Sequence, residues 1–290
     1  MSRPSELQSH EEHSDKTPRW DVRITVVTIV TTITTLVVAI WYVFAISGLT
    51  KTIPLTFYKV GFLRALEPSQ MAPPVSTTFP GYKLVYVQDF QGTSVPPGWD
   101  VFTGVPGGDP GGQFGRQHVV VSGGLLHLNA WKDPKYGGKW VTGGLCHCGL
   151  AHMYGAYFVR SRLTGAGPNE AQLLWPADNT WPPEIDFNET GGTDKSTSST
   201  LHFGAKNNII QSSIRIDLLK WHTWGVIWSA KSIEYVVDGR VWANVTTPSE
   251  IPQVPMRLDL EQRTKCQLGN QCPKVPVSML VDWVAEYSLK

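Results

Sequence analysis

From about Gly81 onward the chain consists of short runs of alternating apolar and polar residues cut by turn signals, and no stretch sustains a 3.6-residue apolar period. Alternation sends successive side chains to opposite faces of a strand, so each run buries its apolar face only by joining a sheet. Lys83 to Phe90, Val119 to Val121 and Leu125 to Ala130 are such runs, with Gly123-Gly124 as the turn before the third. Ile233 to Val237 and Arg240 to Val245 flank Asp238-Gly239, a pair that supplies the positive φ angles of a type I′ hairpin. Val277 to Tyr287 reads as a last strand. This spacing predicts one all-β domain over residues 81–290, a sandwich or jelly roll with little helix. Charged residues are 17% of the chain, below the roughly one quarter usual for soluble proteins, and 27 Gly and 21 Pro provide turns.

The first 80 residues are of another kind. Residues 1–23 are polar and mixed in charge with no apolar period, which predicts a disordered tail. Residues 24–50 contain no charged residue and are long enough to cross a bilayer as one helix. Trp41 and Tyr42 stand near its outer end, where amphipathic aromatics settle at an interface. A cleaved signal peptide ending at Ala45-Ile46-Ser47 is the competing reading, but signal h-regions are shorter and follow a basic start. An uncleaved transmembrane anchor is therefore expected. Residues 51–80, with an apolar patch from Phe57 to Leu66 and then Pro68, Pro73, Pro74 and Pro80, read as a stalk. Whether the patch packs on the domain or lies on lipid is left open by the sequence. A formal net charge of +1 carries no nucleic-acid footprint, and nothing implies a protein partner.

One stretch carries chemistry: Trp181-Pro182-Pro183-Glu184-Ile185-Asp186-Phe187-Asn188-Glu189-Thr190-Gly191-Gly192. In a strand Glu184 and Asp186 share one face while Ile185 and Phe187 take the other. Glu189 faces away unless a β-bulge at Phe187 and Asn188 turns it back, and bulges often re-aim side chains beside active sites. Crowded carboxylates push one another's pKa upward. Glycoside hydrolysis uses that effect, since it needs one ionised carboxylate and one protonated carboxyl. A calcium loop or a solvated acidic edge is the bland reading, but calcium loops interleave acids with Gly, Asn and Asp rather than with Ile and Phe.

Glu184-Ile185-Asp186-Phe187-Asn188-Glu189 resembles the E-x-D-x-x-E signature of glycoside hydrolase family 16 in its bulged, laminarinase-like β-glucanase form. Residues 82–287 follow the same family in order and spacing. Gln88-Asp89-Phe90-Gln91-Gly92 resembles the end of its opening strand, and Tyr154-Gly155 with Arg160 its Y-G strand. Leu174-Trp175-Pro176 resembles the strand before the catalytic one, Trp221-His222-Thr223-Trp224 with Trp228 and Asp238-Gly239 a hairpin, and Val281-Asp282-Trp283-Val284 the closing strand. The resemblance implies a jelly-roll sandwich of two antiparallel sheets. It implies Glu184 as nucleophile, Glu189 as acid/base and Asp186 as the acid between them, in an endo-acting, retaining hydrolase of a β-linked polysaccharide. β-1,3- or mixed-linkage glucan is the expected substrate, and no cofactor is required for catalysis.

Trp175 and Trp181 are expected to stack on sugar, and His202 to neighbour the acids. Arg160 is expected to pair with the acids from an adjacent strand. His118 stands where the family often has a cleft asparagine, Phe158 replaces the glutamate of the Y-G strand, and Asn188 replaces the usual Met or Phe of the bulge. Asp89 and Asp282 match positions that hold a structural calcium ion in many relatives. Some relatives transfer chains instead of hydrolysing them, and a lectin-like module on the same sandwich is the rival from another class.

Four cysteines in an exported domain suggest two disulfides, Cys266 with Cys272 and, less plainly, Cys146 with Cys148. Cys146-His147-Cys148 with His152 also has ligand atoms for zinc, though not in a common zinc spacing. Lys16, Arg19 and Arg23 balance Lys51, Lys59 and Arg64 across the anchor, so charge does not fix its orientation. A polysaccharide substrate and disulfides both place the domain outside, giving a single-pass cell-membrane protein with its N-terminus inside.

Overall fold

The computed structural model describes residues 56–75, 79, 81–269 and 271–290, which belong to one compact unit. The expected tail at 1–23 and anchor at 24–50 lie outside the described residues, among which no helix is long and apolar enough to cross a membrane. The chain runs through β1 (Phe62–Leu63), β2 (Met71–Ala72), β3 (Tyr82–Gln88), β4 (Asp100–Val101), β5 (Val119–Ser122) and β6 (Leu125–Asp133). It continues through β7 (Lys139–Thr142), β8 (Gly144–Cys146), β9 (Gly155–Leu163), β10 (Asn169–Pro176), β11 (Glu184–Glu189) and β12 (Ser196–Phe203). Last come β13 (Asn208–Arg215), β14 (His222–Trp228), β15 (Ile233–Val237), β16 (Arg240–Val245), β17 (Met256–Arg263) and β18 (Val277–Leu289). Helical structure among the described residues is confined to three-residue 3-10 turns.

The strands form an antiparallel sandwich. One sheet has the order β13-β12-β11-β10-β17-β8-β4. The larger has the order β16-β15-β14-β9-β18-β6-β5, with β3 added on β18 and β7 on β6. Alternation builds the core directly: Ile185 and Phe187 of β11, Leu174 of β10 and Leu258 and Leu260 of β17 meet Tyr157 and Val159 of β9 and Val281 and Val284 of β18 between the sheets. The hairpin turn reads as expected, with Asp238 at φ 48° and Gly239 at φ 81° joining β15 to β16.

The stalk expected over 51–80 is corrected where it is described. Residues 56–75 and 79 form a strap against the outer face of the larger sheet, pairing β1 with β2. Val60 and Phe79 are buried there against Phe158, Trp283 and Tyr287. The physical reason lies in the sheet. Ala156, Phe158, Trp283, Ala285 and Tyr287 face away from the main core, and an apolar outer face this broad needs a cover. Tyr58 N–H donates to Gly239 O at 2.6 Å, and a Cβ at position 239 would collide with the Tyr58 carbonyl, so the hairpin glycine also makes room for the strap.

Candidate active site

The opposite side of the sandwich, the outer face of the smaller sheet, carries a groove of ≈ 840 Å³, a size typical of ligand sites. β11 supplies its centre. Toward β12 the register passes from Asp186↔Thr200 to Glu189↔Ser198, so two residues of β11, Phe187 and Asn188, stand against one of β12. This bulge is the feature that the sequence required. Phe187 and Asn188 both turn inward and are fully buried, while Glu184, Asp186 and Glu189 all line the groove.

Each acid has its own environment. Trp181 Nε1–H donates to Glu184 Oε2 at 2.7 Å, and the Trp181 ring lies 5.7 Å from that of His202. Asn169 Nδ2 donates to Glu189 Oε1 at 3.0 Å. Asp186 lies deepest, 3.7 Å from His202 Nε2. Burial, and then the charges of Glu184 and Glu189, push its carboxyl well above the ordinary aspartate range, favouring the protonated form. The three acids together can therefore hold both ionised and protonated carboxyls.

Trp175, Trp181 and His202 line the groove as expected. The expected disulfides Cys146–Cys148 and Cys266–Cys272 are both formed, which removes the thiolates a zinc site would need. The loop between β4 and β5, which carries glycine at 104, 107, 108, 111, 112 and 115, contributes Val105, Pro106, Gly107 and Gly108 to one wall, where Arg263 Nη1 donates to Gly107 O at 3.1 Å.

Two expected contacts are corrected. Arg160 lies in β9 of the other sheet, where its guanidinium reaches Ser69 Oγ, Thr223 Oγ1 and Asp238 instead of the trio. His118 is fully buried outside the groove, stacked on Trp131 and 3.2 Å from Asp133 Oδ2. Asp89 and Asp282, the residues expected to hold calcium, do not line the groove. Asp282 Oδ2 accepts the strap's Ser69 N–H at 3.2 Å, and burial raises its pKa against the smaller lowering by Ser69 and Arg160. Asp282 Oδ1, by contrast, is buried with no hydrogen-bond partner among the described residues. Among the described residues, neither Asp282 nor Asp89 belongs to any convergent group of three ligating side chains.

A second row of charges was not foreseen. Arg257, Asp259, Glu261 and Arg263 of β17 also face the groove, with Arg257 Nε 3.2 Å from Asp259 Oδ1 and Arg263 paired with Glu261. Leu173 pairs with both Asp186 and Asp259, and Ala171 with both Glu189 and Glu261, so one strand separates the two acidic columns, roughly 10 Å apart at sheet spacing. Burial raises the pKa of Asp259 and Glu261, and the paired arginines oppose it. The signal was present in Arg257-Leu258-Asp259-Leu260-Glu261-Gln262-Arg263, whose odd positions are all charged.

The profile of glycosyl hydrolases family 16 matches residues 113–265, just over half the chain, and these residues include the bulged strand, β10 and β17. The chain belongs to glycosyl hydrolases family 16. It is 31% identical over 149 residues to endo-1,3-1,4-beta-glycanase EglC of Rhizobium meliloti (strain 1021), covering 48% of this chain and 31% of that protein. Endo-1,3-1,4-beta-glycanase ExsH of the same organism is 33% identical over 107 residues, covering 35% of this chain and 23% of that one. The chain thus spans only about a quarter to a third of the length of these relatives. The laminarinase from Rhodothermus marinus superposes with a TM-score of 0.64 at 22% identity, covering 72% of this chain and 98% of that chain, and supports the jelly-roll sandwich.

Proposed function

We propose that this chain is an endo-acting, retaining glycosidase that cleaves β-1,3- or mixed-linkage glucan, with Glu184 as nucleophile and Glu189 as acid/base. The observation that carries this reading is the bulge, which brings Glu189 round to the face of Glu184 and Asp186. The names of the relatives, endo-1,3-1,4-beta-glycanases and a laminarinase, support the substrate class.

In the first step a carboxylate oxygen of Glu184 attacks the anomeric carbon as Glu189 gives its proton to the departing glycosidic oxygen. The C–O bond to the leaving chain breaks and an ester to Glu184 forms. In the second step Glu189, now ionised, takes a proton from water, whose oxygen displaces Glu184 and restores both groups. Trp181 N–H holds Glu184 and shares its charge, and Asp186 favours a proton that it can share with the nucleophile. Exposed Trp181 and half-buried Trp175 offer ring faces to sugar C–H groups. The charge-free run at 24–50 supports tethering to the cell membrane, and a polysaccharide substrate with two disulfides supports placing the sandwich outside and the N-terminus inside.

The test is a panel of β-glucans and galactans with the wild type, Glu184→Gln and Glu189→Gln. Release of reducing ends by the wild type alone supports the hydrolase. Equal retention on polysaccharide by all three without release points to a lectin-like module, and longer products instead of new reducing ends point to chain transfer.

A further inference from the structure

Behind the bulge, between the two sheets, lies an ionisable group that the chemistry above does not use. Glu170 of β10 is 2% exposed, and such a group is retained in an interior only with partners for its polar atoms. Its Oε1 accepts from Gln172 Nε2 at 2.9 Å and from Asn188 Nδ2 at 3.2 Å. Asn188 Oδ1 accepts from Thr197 Oγ1 at 2.6 Å, and Gln172 Nε2 also reaches Ser161 Oγ of the larger sheet at 2.6 Å. Asn188 is one of the two inward residues of the bulge, and both ends of its amide are held, by β10 on one side and β12 on the other. Flattening the bulge would break this network and strand buried polar groups without partners.

The same segment of β10 also grips the outer side. Asn169 Nδ2 donates to Glu189 Oε1 at 3.0 Å, and Asn169 Oδ1 accepts Gly191 N–H at 2.7 Å. Glu170 N–H donates to Thr190 Oγ1, and Thr190 N–H to Glu170 O, both at 3.0 Å. Neighbouring residues of one strand thus hold Glu189 by its side chain and by the two residues that follow it.

We propose that Asn169 and Glu170 are positioning residues that clamp the bulge from its two faces: Asn169 orients the Glu189 carboxyl, and Glu170 acts through Asn188 to keep that carboxyl on the groove. The role rests on the reading of Glu189 as the acid/base. Burial pushes the Glu170 carboxyl up to about 7, so this interior tolerates its neutral form, which still offers an oxygen acceptor to Gln172 and Asn188. The clamp stabilises proton donation rather than substrate binding, because Glu170 and Asn188 lie on the far side of the sheet from the sugar.

The test compares β-glucan oligosaccharides carrying a dinitrophenyl leaving group, which departs without a proton, with polysaccharide, whose leaving oxygen needs one. In the full-length chain, Glu170→Leu is expected to lose ~100-fold in kcat/KM on polysaccharide, carried by kcat with KM within ~2-fold, and less than ~5-fold in kcat/KM on the dinitrophenyl substrate, a ratio that reports the first step and not the second, in which Glu189 acts as base. Glu170→Gln, which keeps an oxygen acceptor, is expected to recover polysaccharide cleavage to within ~5-fold of wild type. Equal losses on both substrates, or no loss in a folded Glu170→Leu chain, would overturn the clamp. If Glu170→Leu does not fold, Thr197→Val releases Asn188 at nearly constant shape and is expected to show the same split in smaller measure; its absence counts against the clamp. A wild type that cleaves neither substrate refutes the hydrolase reading instead. The Glu189 carboxyl ¹³C resonance then decides the clamp: a shift in the Leu or Val variant that Gln does not produce supports it, and an unmoved resonance overturns it.

Discussion

The indole of Trp181 is 44% exposed, yet its N–H is committed to Glu184 Oε2 at 2.7 Å. One side chain therefore offers a ring face to the groove and a donor to the proposed nucleophile. Trp181→Phe separates the two roles, keeping a ring and removing the donor. A hydrogen bond to a charged group contributes about 1.5–3 kcal/mol, so kcat/KM is expected to fall by roughly 10- to 100-fold, read from initial rates on β-glucan. Asp186 makes a different prediction. Its pKa is raised in the folded chain, so the stability linked to its proton is fully present below the ordinary aspartate value of 3.8 and is lost as pH rises through the folded value. Asp186→Asn is thus expected to melt higher than wild type at alkaline pH, the gap closing in acid, while losing activity throughout. The trio was legible because period-2 alternation plus one bulge fixes its face, while Trp175, Trp181 and His202 were reached through the resemblance to the family. Arg160 and His118 were not, because sequence order does not reveal that β9 joins the other sheet or that residue 118 turns inward under Trp131.

At the scale of elements, the bulge and the strap do opposite things. The bulge exposes a residue that regular alternation would bury, and the strap buries an apolar sheet face that alternation would expose. The hairpins were readable from Gly123-Gly124 and Asp238-Gly239, since backbone sterics alone demand those turns. The strap was not: its Pro and Ser residues resemble a linker, and its partners on β9 and β18 lie far along the chain. Removing residues 56–79 is expected to uncover Phe158, Trp283 and Tyr287, lower the thermal midpoint and raise binding of an apolar dye; an unchanged midpoint would show that the strap contributes nothing. Ser69 N–H serves Asp282 Oδ2 while Oδ1 is buried without a hydrogen-bond partner among the described residues, so chelation by EDTA tests whether a cation serves the second oxygen: a melting temperature that falls and is restored by calcium supports the expected calcium site, and an unaltered one counts against it.

Across the whole molecule, the carboxyls of Glu170, Asp186, Asp259, Glu261 and Glu286 are all raised, with burial as the first cause. Each contributes stability that is present in acid and lost as pH rises through its folded pKa. Glu170 moves from 4.5 to about 7, a destabilisation on the order of 3 kcal/mol by alkaline pH. Scanning calorimetry is therefore expected to show the wild-type midpoint falling between pH 4.5 and 8, with a shallower fall in Glu170→Gln. Burial lowers the pKa of His118 and His152, which act in the other direction below neutrality, so stability peaks in weak acid. Of these acids Asp186, Asp259 and Glu261 line the groove, where the central proposal is chemical: Glu184 takes the sugar and gives it up again. The most direct measurement follows the anomeric proton of the first product released from β-glucan by NMR, before mutarotation. The β anomer appearing first is the predicted result; the α anomer appearing first would contradict the covalent route through Glu184.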